Sequence, residues 1–218
     1  MRSLSPEQVQ QYLAVFDRTD LGAAIAAAIG TGCRRGELLA LRWSDVDLER
    51  GTLRVARSLE RLTIRSAKRA HYELRFKEPK TKRSRRTIAL PPFAIDRLRR
   101  HRLEQAERFF SAGTRPDGNT LLFERDGQPW NPNTFGLAFA RIARDAKLPK
   151  VRLHDLRHSF ASLLLAGGAD LKTVSTALGH STISVTADVY SHVSPAMLRD
   201  AANLLDRVVA SGRKASGV

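Results

Sequence analysis

Cysteine is almost missing from this sequence: Cys33 stands alone among 218 residues. One thiol excludes an intrachain disulfide framework and any zinc site built on cysteine pairs, and it suits a reducing, intracellular setting. Long apolar runs are missing too, with none reaching the ~20 residues of a membrane-spanning helix. The most apolar stretch, LGAAIAAAIGTGC, lies beyond residue 20 without a basic flank before it, so it reads as a buried helix and not as a secretory leader. No internal repeat or low-complexity linker divides the chain. Acids are scarce beside bases, 22 Asp and Glu against 37 Lys and Arg, for a formal charge of +15.

That charge is unevenly spread. Residues 50–102 hold 18 Lys or Arg and 4 acids, a local net of +14. So concentrated a positive field attracts a polyanion, most often nucleic acid. Arginine outnumbers lysine 29 to 8, which favours planar, two-point contacts to phosphate. The apolar content of 42% supports a core of ordinary size.

The patterning is mainly helical. Ser5, Pro6 and Gln8 make a helix start with a capping box. A second helix runs from Leu21 to about Ile29 and stops at Gly30-Thr31-Gly32; a third runs from Arg34 to about Leu41. GTLRVARSL, YELRFKEP and RRTIALP alternate as strands, with KTKRS as a basic hairpin tip between the last two. These strands form a small antiparallel sheet of about three strands. Helical periodicity returns over 94–110, in WNPNTFGLAFARIARDAKL, in RLHDLRHSFASLLLAGG and in DLKTVSTALGH, where Asp170 is the cap. A last helix opens at Ser194-Pro195 and carries an apolar stripe to Val209; the tail 211–218 is expected to be disordered. The fold class is α+β, one mainly α domain with a small antiparallel sheet.

Four stretches carry chemistry. LHDLRHSF places His154 and His158 four apart on one helix face, a spacing that can bind zinc. Arg157 shares that face, and a guanidinium that cannot discharge itself repels a dication, so the face suits an anion better. TGCRRGELL sets Arg34 and Glu37 at a helix start, beside glycines that permit close backbone approach. There the helix dipole and Arg34 can both meet a phosphate. PKTKRSRRTI holds Lys80 on an exposed turn. ALGHSTISVTADVYSHV supplies His180 and Tyr190, and by itself also resembles a helix-turn-helix.

In this order the four stretches resemble the catalytic domain of the tyrosine recombinases, the phage-integrase family of site-specific DNA recombinases. The resemblance covers about Leu4 to Val209. It implies a catalytic set of Arg34, Lys80, His154, Arg157, His180 and Tyr190, supported by Glu37 and His158. It implies a catalytic domain over 1–210, with the N-terminal DNA-clamping domain of the family absent and the chain therefore a fragment. The implied activity is cutting and rejoining double-stranded DNA through a 3′-phosphotyrosine, with no metal, ATP or other cofactor. The implied setting is the cytoplasm of a bacterium, or of one carrying a phage, with a homotetramer assembled on DNA. Arg83, Arg85 and Arg86 are candidate phosphate contacts within the basic stretch. Two other readings stay open: a topoisomerase using the same nicking chemistry, and a DNA-binding module without catalysis.

The residue types suit the chemistry. A phosphodiester gains charge on its nonbridging oxygens in the transition state, and fixed arginines and hydrogen-bonding histidines can stabilise it. A free tyrosine has a pKa of about 10, so roughly one in a thousand is ionised at neutral pH, and nearby cations favour the phenolate. His154 is the candidate acceptor of the tyrosine proton, and Lys80 the candidate donor to the leaving 5′ oxygen.

Overall fold

The computed structural model describes residues 3–65, 70–78 and 85–180. Outside them lie the expected KTKRS tip, the SVTADVYSHV segment, the helix over 195–209 and the tail. Helix α1 (Pro6–Phe16) begins as its sequence requires. The Ser5 hydroxyl accepts from the Gln8 amide, and the Gln8 side chain accepts from the Ser5 amide at 3.0 Å. A cap of this kind is worth about 1 kcal/mol. The buried face of α1 stacks Tyr12 and Phe16 on Phe139, with the Phe16 and Phe139 ring centroids 5.2 Å apart.

Helix α2 (Gly22–Thr31) is buried on every side, as an all-apolar helix must be. It ends at Gly32 in the left-handed region, with φ of 60°. Helix α3 (Arg35–Leu38) is a single turn, shorter than the expected 34–41. The backbone after Leu38 leaves the helix because distant partners claim it. Leu122 donates to the Leu41 carbonyl, while Trp43 and Ser44 donate to Thr120 and Gly118.

The β structure differs from the expected single sheet. One sheet has the order β1 (Val46–Asp47), β2 (Thr52–Val55), β5 (Arg86–Ala89), with Leu53 opposite Ile88. Strands β3 (Ser58–Arg65) and β4 (Ala70–Lys77) form a separate antiparallel hairpin. GTLRVARSL is therefore two strands broken at Ala56-Arg57, where the Arg57 guanidinium turns onto buried Asp45 at 2.6 Å. YELRFKEP pairs with β3, not with RRTIALP. On the hairpin Tyr72 is exposed, and Arg61 lies 4.6 Å from the centre of its ring.

Helix α4 (Pro92–Ser111) turns Ala94, Arg97, Leu98, His101 and Gln105 inward against α2. The buried polar side chains on it have partners. Arg97 pairs with Asp17 and Glu104, His101 donates to the Leu122 carbonyl, and Gln105 accepts from the Trp43 indole at 2.6 Å. A two-residue turn, Asp126-Gly127, joins β6 (Glu124–Arg125) to β7 (Gln128–Pro129) with both φ angles positive. That is the hairpin geometry an Asp-Gly pair favours. Helices α5 (Pro132–Asp145), α6 (Asp155–Ala166) and α7 (Leu171–Leu178) follow, with Asn131 and Asp170 as side-chain caps of α5 and α7. The architecture is mainly α with small antiparallel sheets. Among the described residues, no helix is long and apolar enough to cross a membrane.

Candidate active site

The site gathers where α2 ends, α3 begins, α6 starts and α7 stops. At Gly32 a Cβ would stand 2.4 Å from the Phe160 ring, and at Gly36 it would stand 2.6 Å from the Leu59 carbonyl oxygen. These two glycines let α3 lie against α6 and β3. Cys33 between them is buried, and burial pushes its thiol up to about 11. Arg34 precedes the first turn of α3. Its amide donates to Glu37 Oε2 and its Nη1 to Glu37 Oε1, each at 2.9 Å. The side chain of Arg34 remains 43% exposed, so its guanidinium can meet a ligand while one edge is held.

Glu37 is buried, and its second partner is Arg86. Arg86 Nη2 donates to Glu37 Oε2 at 2.9 Å and Nη1 to Oε1 at 3.3 Å. Burial alone would raise the Glu37 carboxyl; the hydrogen bond and charge of Arg86 outweigh it and hold the group below the usual carboxylate range. Arg86, expected as a phosphate contact, is 8% exposed and faces the interior beside Ile88. Strand alternation carries a signal of this, because Arg86 and Ile88 share a face. Arg85, its neighbour, is exposed and pairs with Glu78.

Arg157 on α6 is 4% exposed. Its Nη1 donates to the Gly32 carbonyl and its Nη2 to the Leu178 carbonyl, both at 2.7 Å. Burial, with the charges of Arg34 and Arg86 against it, lowers its pKa to about 10, which leaves it charged at neutral pH. His154 is exposed and His158 half-buried, with rings edge-on at 5.1 Å. Burial draws both imidazoles below the usual value, helped by Arg157 for His154 and by His154 for His158. His180 follows Gly179, the left-handed end of α7. Burial, then the charges of Arg157, Arg34 and Arg86, push it down to about 4.

The structure thus brings Arg34, Glu37, His154, Arg157, His158 and His180 together. Lys80, Tyr190 and Arg83 lie outside the described residues. Among the described residues, no group of three or more His, Cys, Asp or Glu is placed to hold a metal ion. Two guanidiniums and three imidazoles gathered here, with the buried carboxylates Glu37 and Asp155 already paired to arginines, make a receptor for an anion.

Residues 2–197 match the model of the phage integrase family. The chain belongs to the phage integrase family. Among relatives, it is similar to a XerC-like tyrosine recombinase of Caldanaerobacter subterraneus, 34% identical across 94% of this chain and 54% of that protein. It is also similar to the ICEBs1 integrase of Bacillus subtilis, 30% identical across 94% of this chain and 54% of that protein. Among solved structures, it is similar to the integrase of the Tn1549 transposon in complex with transposon right-end DNA. The TM-score is 0.73 at 25% identity, covering 94% of this chain and 66% of that one. The chain spans about half the length of the curated relatives it matches. Of the stretches that carry the resemblance, the fold brings together those holding Arg34, His154 with Arg157, and His180.

Proposed function

We propose that this chain is the catalytic part of a site-specific DNA recombinase, cutting and rejoining DNA through a covalent phosphotyrosine. The observation that carries this reading is the convergence of Arg34 and Arg157 with three imidazoles on one site. A scissile phosphate bound there meets the exposed edge of Arg34 and the remaining donors of Arg157. Those cations oppose the charge that grows on the nonbridging oxygens.

The reaction runs as a transesterification. The Tyr190 oxygen attacks phosphorus as its proton passes to His154, which is neutral at pH 7 and able to accept it. The phosphorus–O5′ bond breaks, and Lys80 donates a proton to the leaving 5′ oxygen. Neutral His180 donates a hydrogen bond to a nonbridging oxygen. Attack by another strand's 5′ hydroxyl reverses the step and rejoins DNA, so the phosphodiester energy is kept without ATP. The family resemblance extends the reading to double-stranded DNA as partner and to a tetramer on the DNA.

Covalent trapping tests this. Nicked suicide duplexes carrying candidate sites are incubated with the chain, denatured and resolved on a gel beside Tyr190→Phe. An adduct present in the wild type and lost in Tyr190→Phe is expected. Binding without an adduct supports the DNA-binding module instead. An adduct with plasmid relaxation but no strand exchange supports the topoisomerase.

A further inference from the structure

Helix α7 ends with carbonyls that no later turn of helix satisfies. Two buried guanidiniums take them: Arg86 Nε donates to the Ala177 carbonyl at 2.6 Å, and Arg157 Nη2 to the Leu178 carbonyl at 2.7 Å. Cations at a helix C-terminus also complement its dipole. The chain then turns at Gly179, φ 68°, where a Cβ would stand 2.9 Å from Arg86 Nη1. His180 comes next. Its place in the site is therefore set by a turn packed directly on Arg86.

The same guanidinium faces the other way as well. Its Nη1 and Nη2 hold both oxygens of Glu37, which in turn holds the amide and Nη1 of Arg34. One side chain thus bridges the arginine that precedes α3 and the histidine that follows α7. Its backbone is fixed in β5 opposite Val55. Only a planar fork with an additional Nε–H can serve both partners at once; a lysine ammonium is a point charge on a flexible stem. A surface phosphate contact would be solvent-facing, whereas the Arg86 side chain is 5% exposed and ion-paired with Glu37.

We propose that Arg86 is a positioning residue for the strand-cleavage reaction, fixing Arg34 through Glu37 and His180 through the end of α7. The proposal rests on the recombinase reading above, and its test separates the two. Arg86→Lys and Arg86→Met are compared with wild type on suicide duplexes selected for wild-type binding. The single-turnover adduct rate is measured at saturating DNA, and the DNA Kd separately. Displacing catalytic groups by about 1 Å costs on the order of 100-fold in rate, so a loss of that size is expected for Arg86→Met, with partial recovery in Arg86→Lys. The Kd is expected to move little, because the affected interaction belongs to the transition state. A weakened Kd with the saturating rate unchanged overturns the proposal and makes Arg86 a phosphate contact. If Arg86→Met does not fold, Arg86→Lys with a cooperative melt carries the comparison.

A second readout does not need activity. The imidazole nitrogen resonances of His180 should shift in Arg86→Lys, while those of His101, buried against Leu122 elsewhere, stay in place. His180 resonances that superimpose on wild type overturn the proposal. If wild type forms no adduct at Tyr190, the recombinase reading fails, and this spectrum alone decides whether Arg86 positions His180.

Discussion

His180 meets positive charge from three elements: Arg157 on α6, Arg34 before α3 and Arg86 on β5. Burial and those cations make its folded pKa about 4 against an ordinary 6.5. His154 and His158 are displaced in the same direction. Between pH 4 and 6.5 the unfolded chain therefore binds more protons than the folded one, and stability rises with pH across that window. Urea unfolding at pH 5 should give a lower free energy than at pH 7, and His180→Asn should flatten the difference. A profile that is level in wild type would contradict the packing described for these rings. At this scale the sequence is readable wherever partners lie within a turn of helix. Arg34 with Glu37, and His154 with Arg157 and His158, share local spacing that chemistry can interpret. Arg86 is different, because Glu37 is 49 positions away and Ala177 is 91. Beside Arg83 and Arg85 it reads as one more surface cation.

Among the elements, helices with side-chain caps are legible and strand pairings are not. Ser5 and Asp170 announce α1 and α7 because a cap is a contact between near neighbours. Strand partners are chosen at long range: β2 finds β5 across the whole β3–β4 hairpin, and no local alternation records that choice. The Asp126-Gly127 turn marks a hairpin too short to alternate. The end of α7 gives a test of element-scale packing. Gly179→Ala forces a left-handed residue, costing about 1–2 kcal/mol, and also drives a methyl into Arg86. Gly168 has a φ of 89° and open space within 4 Å of where a methyl would stand, so Gly168→Ala carries backbone strain alone. Denaturant titration should show Gly179→Ala as the more destabilised of the two. Equal losses would mean that Arg86 does not pack on the turn.

For the molecule as a whole, the formal charge of +15 decides how it meets a polyanion. Arg54, Arg57 and Arg85 line one cleft beside β2 and β5, continuous with the basic stretch read from the sequence. Each phosphate neutralised releases counterions, so DNA affinity should fall linearly on a log–log plot against salt. Arg85→Ala should reduce the magnitude of that slope by about 1 if Arg85 meets a phosphate. Fluorescence anisotropy with a labelled duplex between 50 and 200 mM salt, roughly the range over which such slopes are resolved, reads this out. An unchanged slope removes Arg85 from the DNA contacts.

Cys33 has a practical consequence. Its thiol is sealed between α2 and α3, one residue from Arg34, and burial keeps it protonated. A thiol-specific reagent can reach it only when that junction opens, so the rate of labelling is a clock for excursions of the active-site floor. The lone cysteine thus makes the chain its own dynamics probe. A second cysteine placed on the surface would react far sooner and could carry a dye without competition from the first.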